Sequence, residues 1–172
     1  MKLSDKKVHF FFVRMKMTLF GDPVISKEDE IMDFRNIKLK REPVFAEVTK
    51  YIKNLAFEAI QLQTKDLKEE HIRWILTVLA IWTDTARQIM ANATVKAGIN
   101  REDLQLVLEP EAASLFCSGN AVVDSIIVIE RLPVDHRYIL ADLVGGTADF
   151  SVHEIIENDN IHQLYRASGG NF

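Results

Sequence analysis

The residues best equipped for chemistry in this chain sit together in Asp142-Leu143-Val144-Gly145-Gly146-Thr147-Ala148-Asp149. Two carboxylates flank a glycine pair and a threonine. Adjacent glycines reach backbone conformations closed to other residues. Successive N–H groups aimed at one point then form a nest that attracts phosphate. Two nearby aspartates can serve the hydrated magnesium that accompanies a nucleotide. The same letters also fit an ordinary hairpin, with a Gly-Gly turn between solvated aspartates. Other reactive side chains are more scattered. His9, His71, His136, His153 and His162 show no close metal-ligand spacing. His153 and His162 are placed to face each other across a hairpin but read as solvated surface residues. Cys117 lies among alanine and phenylalanine and reads as a buried, inert thiol. Ser114 and Ser118 lack a nucleophile-elbow context.

The bulk properties narrow the function class. At 172 residues the chain fits one domain or parts of two small ones. Its hydrophobic fraction of 48% is enough to bury a core. A net charge of −4 argues against an electrostatic nucleic-acid binder. The single cysteine rules out an intrachain disulfide and suits a reducing compartment. No apolar run approaches the roughly 20 residues that span a bilayer. The apolar stretch near the N-terminus is short and broken by Arg14 and Lys16, a poor signal peptide. A soluble, cytoplasmic protein is expected, with neither membrane nor nucleic acid as partner.

The elements that must position the glycine turn follow from periodicity. Residues 8–19 end in a strict alternation, Val13, Met15, Met17 and Leu19 against Arg14, Lys16 and Thr18, which predicts a half-buried strand. Phe10-Phe11-Phe12 reads as core or edge packing, and Gly21-Asp22-Pro23 as a turn. The charged residues 26–42 predict a solvated loop or a weak hairpin. From Pro43, placed at the first helical position, Val44, Val48, Tyr51, Ile52, Leu55, Ala59 and Leu62 form a core-facing stripe on a helix of about six turns. The β-favouring run 73–79 predicts a strand covered on both faces. Thr83 or Asp84 caps a helix with the stripe Ala86, Ile89, Met90, Ala93 and Ala97, stopped by Gly98. Residues 104–108 form the next strand, and Glu109-Pro110 opens a short helix ended by Gly119. Strand, helix, strand, helix at this spacing predicts a right-handed βαβ unit. Residues 120–134 read as a variable excursion. The run 138–141 leads into the glycine turn, residues 148–156 lead out, Asn158-Asp159-Asn160 turns, and a last strand runs from Ile161 to Ala167 before a Gly169-Gly170 turn.

Two segments, taken together, resemble one superfamily. RWILTVLAIWTDTARQIMANATVKAGI followed by LVLEPEAASLFC is similar to the strand, helix and Glu-Pro-x-Ala-Ala segment of seventy-kilodalton heat-shock chaperones. YILADLVGGTADFSVHEI is similar to their second phosphate loop, Asp-x-Gly-Gly-Gly-Thr-x-Asp. Ala-Ile-Trp-Thr-Asp, Glu-Pro-Glu-Ala-Ala-Ser-Leu and Val-His-Glu-Ile resemble the divergent heat shock 70 kDa protein 12A/12B-like branch. The resemblance implies an α/β fold: part of an actin-like ATPase (ribonuclease H-like) nucleotide-binding domain, a mixed sheet with flanking helices. It implies ATP and Mg2+ as ligands. Gly145, Gly146 and Thr147 then match the phosphate-contacting residues. Asp142 and Asp149 match carboxylates acting through waters around magnesium, and Asp142 and Glu109 match the residues nearest the hydrolytic chemistry. Residues 1–72 correspond to a peripheral strand, loop and helix, 73–135 to a βαβα unit of the first lobe, and 136–172 to the start of the second lobe.

Departures from the family pattern carry weight. Val144 stands where the first of three glycines is expected, and a β-branched residue resists positive φ. Leu79 stands where the family has a proline in Thr-Val-Pro-Ala, a position associated with communication between domains. The first phosphate loop and the adenosine contacts have no counterpart in the sequence, so a fragment with doubtful ATPase activity is expected. The competing expectation is a non-enzymatic truncated paralogue that acts as a protein-interaction module, with clients or the missing part of the fold as partners. A wrongly bounded gene model is a third reading.

Overall fold

The computed structural model describes residues 9–20, 26, 28–119, 132–144, 147–157 and 160–171. They group into two compact units, each discontinuous in sequence. The first comprises the described residues of Met1–Ile72 and Thr83–Arg101, and the second those of Arg73–Trp82 and Glu102–Phe172.

In the first unit, β1 (Glu30–Met32) and β2 (Lys38–Lys40) pair antiparallel, with Glu30 opposite Lys40. The charged stretch therefore takes the hairpin form. Its turn is closed by Asp33, whose carboxylate accepts hydrogen bonds from the backbone N–H groups of Arg35 and Ile37, each at 2.9 Å. Helix α1 (Arg41–Gln63) starts two residues before Pro43. The proline still lies in the first turn, where no backbone donor is needed. Arg41 is tied to Asp29 through its backbone N–H at 2.8 Å and its guanidinium at 3.2 Å. Helix α2 (Asp84–Lys96) begins at the N-cap Thr83, whose Oγ1 accepts from the Ala86 N–H at 3.2 Å. Its stripe, Ala86, Ile89, Met90, Ala93 and Ala97, is buried as the periodicity predicts. Gly98 follows with φ of +90°, a conformation that ends the helix at little cost only for glycine.

Helices α1 and α2 pack together, but not through the stripe that periodicity selects on α1. Tyr51 is 65% exposed and Leu62 86%, and Val48, Ile52 and Leu55 are exposed with them. The buried face carries Arg41, Glu42, Phe45, Ala46 and Lys53. The neighbouring surface of α2 is rich in alanine. Lys53 is accommodated because its ammonium donates to Glu69 at 2.7 Å and to the Gly98 carbonyl at 3.1 Å. Glu42 pairs with Lys96. Paired charges can occupy a buried face, so periodicity identified a real stripe and misassigned its direction.

The strand predicted at residues 8–19 is not found among the described residues 9–19. Residues 15–19 form a 3-10 turn (Met15–Leu19), preceded by Arg14 with φ of +52°. Alternation alone does not supply a ladder partner. The extended part at Phe11 makes one backbone bond, accepting from Phe34 N–H at 2.7 Å. Leu19 is buried, while Phe10 and Phe11 are exposed. The Gly21-Asp22-Pro23 turn lies outside the described residues.

In the second unit, β3 (Trp74–Val78) and β4 (Leu104–Leu108) pair in parallel, Trp74 opposite Leu104 and Val78 opposite Leu108, with α2 between them in sequence. Contrary to the expectation of cover on both faces, Ile75 and Thr77 are exposed and only Val78 of the strand is buried. Helix α3 (Glu109–Gly119) follows β4 without a linker. Then β5 (Arg137–Val144), β6 (Thr147–Ile155) and β7 (Ile161–Asn171) form an antiparallel sheet in that order. Helix α3 contacts all three of these strands as well as β3 and β4. Strand β7 runs through Gly169 and Gly170, where a turn was expected. Gly169 pairs with Asp149 and Gly170 with Ala148, so the glycines extend the sheet. Most of the excursion, residues 120–131, lies outside the described residues, as does the centre of the Asn158-Asp159-Asn160 turn. The architecture is mixed α/β, with parallel and antiparallel pairing and flanking helices.

Candidate functional site

Strands β5 and β6 bring the two candidate aspartates directly opposite each other. The register runs Val144 to Thr147, Asp142 to Asp149, Leu140 to Ser151 and Tyr138 to His153. Opposed residues of an antiparallel pair point to the same face, with Cβ atoms about 5 Å apart. One face of β6 therefore carries Thr147, Asp149, Ser151, His153 and Ile155, and all five are buried. Asp142 is half-buried, Asp149 is 1% exposed, and Glu109 is half-buried at the first position of α3. Gly145 and Gly146, between the two strands, lie outside the described residues, as does the side chain of Val144.

The donor set is suited to a hydrated divalent cation. Asp142, Asp149, Glu109 and the Thr147 hydroxyl present only oxygen, the ligand type magnesium prefers. Two opposed carboxylates repel across a strand pair, and a nearby divalent cation would offset that repulsion. Among the described residues no three histidine, cysteine or acidic side chains converge to hold a metal directly.

Gly169 on β7 shapes this site. A Cβ at that position would lie 2.4 Å from the Ala148 carbonyl oxygen and 2.4 Å from Asp149 Oδ1. The Asp149 carboxylate therefore lies against a stretch of strand that only glycine leaves open. At Gly170 a Cβ would meet nothing within 4 Å.

Further along the same face is a polar cluster whose serine and histidine are buried and whose tyrosine is half-buried. Ser114 Oγ, on α3, is hydrogen-bonded to the Tyr138 hydroxyl on β5 and lies 3.1 Å from His153 Nδ1 on β6. The Tyr138 and His153 rings meet edge to face, 5.5 Å between centroids and 88° between planes. Both Ser114 and His153 are closed to solvent. The expectation of solvated histidines holds for His162, which is exposed, and is overturned for His153, which is buried; the two do not face each other, since His153 pairs with Gln163 and His162 with Glu154. Burial lowers the His153 pKa from its ordinary value of 6.5, opposed by the charge of Glu111. Its Nε2 has no hydrogen-bond partner among the described residues, nor does Ser151 Oγ. A neutral ring is the form such a site tolerates. The signal for this cluster was present in the alternation 147, 149, 151, 153, which ties His153 to the face of Asp149.

The serine and histidine are in contact, yet neither reaches solvent. The opposed aspartates near the end of the β5–β6 pair and the glutamate that opens α3 are the candidate functional residues, on a fold compatible with a partial actin-like ATPase domain. The chain is similar over nearly its whole length to members of the seventy-kilodalton heat-shock group. It is 27% identical to Heat shock 70 kDa protein 12A of Mus musculus over 217 aligned positions, covering 97% of this chain and 32% of the relative. It is 27% identical to human Heat shock 70 kDa protein 12B over 211 positions, covering 93% and 31%. A Chaperone protein HscA homolog of Rickettsia typhi is 31% identical over 147 positions, covering 86% and 21%. The chain spans about a third of the length of the first two relatives. No protein-family model matches it.

Two outcomes follow from the geometry. Gly169→Ala must displace either β7 or the Asp149 carboxylate, at a cost of about 1–3 kcal/mol, while Gly170→Ala costs little; urea denaturation of both variants measures the contrast. His153, neutral when folded and protonated below about pH 6.5 when unfolded, makes the unfolded chain the stronger proton binder. Stability is full above that pH and is lost as pH falls, with a slope of up to about 1.4 kcal/mol per pH unit from this group. His153→Gln flattens the dependence between neutrality and the onset of carboxylate titration, read by denaturation at a series of pH values.

Proposed function

We propose that this chain is part of the nucleotide-binding domain of a heat shock 70 kDa protein 12-like ATPase and carries its second phosphate loop at residues 142–149. The observation that supports this most directly is the register of β5 and β6, which opposes Asp142 and Asp149 beside Gly145, Gly146 and Thr147. In this reading the backbone N–H groups of Gly145 and Gly146 and the hydroxyl of Thr147 approach the phosphates of ATP. Asp142, Asp149 and, from the start of α3, Glu109 would hold a hydrated Mg2+ through its waters, and Asp142 and Glu109 would orient the attacking water. Bound magnesium would supply charge neutralisation for phosphoryl transfer, a reaction that depends mainly on positioning and electrostatics. A chaperone role with protein clients belongs to the same proposal and takes its support from the name of the Rickettsia relative, and a cytoplasmic setting takes its support from the single cysteine.

One hairpin grips a triphosphate from one side, so the chain by itself binds Mg-ATP weakly and turns it over slowly or not at all. Calorimetric titration tests this, and submicromolar affinity would contradict it. Asp142→Ala or Asp149→Ala weakens magnesium-dependent binding about tenfold, the scale of one lost charge-assisted hydrogen bond. Equal affinity with and without magnesium would count against the assigned roles.

A second reading, a non-enzymatic interaction module, is supported by the outward stripe of α1, where Val48, Tyr51, Ile52, Leu55 and Leu62 are all exposed. An apolar face of this kind marks an interaction surface. It predicts concentration-dependent association that Ile52→Glu reduces, measured by analytical ultracentrifugation. A monomer over the accessible concentration range, with no binding of a hydrophobic dye, contradicts this reading.

A further inference from the structure

Each element that carries one of the three candidate carboxylates also contributes one residue to the Ser114–Tyr138–His153 cluster. Helix α3 begins with Glu109 and supplies Ser114. Strand β5 carries Asp142 and supplies Tyr138, while β6 carries Asp149 and supplies His153. Tyr138, Asp142, Asp149 and His153 share one sheet face, because their positions on each strand differ by an even number and both pairs are directly opposed.

Backbone pairing already fixes β5 relative to β6. Helix α3 continues directly from β4, whose sheet is separate from that of β5, β6 and β7, so the β4–α3 segment is set against β5 and β6 by contacts of the helix and not by a shared ladder. Ser114 supplies hydrogen bonds at that junction. Its hydroxyl meets Tyr138 on one strand and His153 on the next. It lies little more than one helical turn from Glu109. Ser114 and His153 are buried and Tyr138 is half-buried, so the Ser114–His153 hydrogen bond is shielded from water and a shift that breaks it leaves buried polar groups unpaired.

We propose that Ser114, Tyr138 and His153 are positioning residues that hold Glu109 in register with Asp142 and Asp149 around the hydrated cation. This assignment rests on the phosphate-loop reading of residues 142–149. None of the three touches nucleotide or metal. They act by locking the helix carrying one carboxylate onto the strand pair carrying the other two.

The test uses the full chain and Mn-ATP, following by NMR the paramagnetic broadening of the Asp142 and Asp149 backbone amide signals. Tyr138→Phe keeps the ring and its edge-to-face contact and removes only the hydroxyl. Ser114→Ala removes the link from the helix, and Ser114→Thr retains a hydroxyl. Both Tyr138→Phe and Ser114→Ala should raise the Mn-ATP concentration at half-broadening about fivefold, the scale of one lost hydrogen bond. Ser114→Thr should restore binding to within about twofold. The histidine ring 15N signals should show neutral His153 in the wild type and report loss of the Ser114 partner in Ser114→Ala. Glu109→Gln serves as the reference for the site itself. If Glu109→Gln abolishes binding while Tyr138→Phe and Ser114→Ala match the wild type, the positioning role is wrong and the phosphate loop stands. If Ser114→Thr fails like Ser114→Ala, packing volume and not the hydroxyl is responsible, which also overturns the proposal. If the wild type shows no broadening at Asp142 and Asp149, the phosphate-loop reading falls and this assignment falls with it.

Discussion

A β-strand sends alternate side chains to opposite faces, and in β6 that rule drives Thr147, Asp149, Ser151 and His153 into the interior in succession. Burying four polar residues in a row on one strand face is costly unless partners meet them. Much of the second unit is arranged around that requirement. Strand β5 sets the Tyr138 ring against His153. Helix α3 brings Ser114 to the histidine. Strand β7 brings Gly169 against the aspartate. Hydrophobic burial elsewhere in the unit, at Val78, Leu79 and Trp82, supplies ordinary stabilisation. The polar face supplies specificity, because it accepts one register of its neighbours.

Local signals were legible in the sequence where a residue's own chemistry decides the outcome. Thr83 caps a helix and Gly98 stops it because a side-chain acceptor and a positive φ are needed at those two points. The parallel pairing of β3 and β4 and the opposed aspartates also emerged as expected. What failed depended on a partner chosen from elsewhere in the chain. The alternation in residues 8–19 is real, yet among the described residues no strand lies alongside. The stripe on α1 is real, yet the alanine-rich neighbour meets the other face, where Lys53 finds Glu69 and the Gly98 carbonyl. Periodicity says which residues share a face and is silent on what that face meets.

The candidate site shows the same division. Resemblance selected Glu109, Asp142, Thr147 and Asp149, and the strand register opposes the two aspartates. His153 was misread because a lone histidine was judged by composition and not by its parity with Asp149. Ser114 was set aside for lacking a nucleophile's setting, and its buried place beneath the sheet accounts for that lack. Gly169 was taken for a turn because a glycine pair usually signals one. Its reason is a close approach from another strand, which no local pattern records.

That close approach bears on how residue 169 can vary. The Asp149 carboxylate and the Ala148 carbonyl oxygen both occupy the volume that any larger residue at 169 would need. The backbone of β6 therefore demands glycine at 169 whatever side chain stands at 149. Across related chains that glycine should persist even where the aspartate has been exchanged.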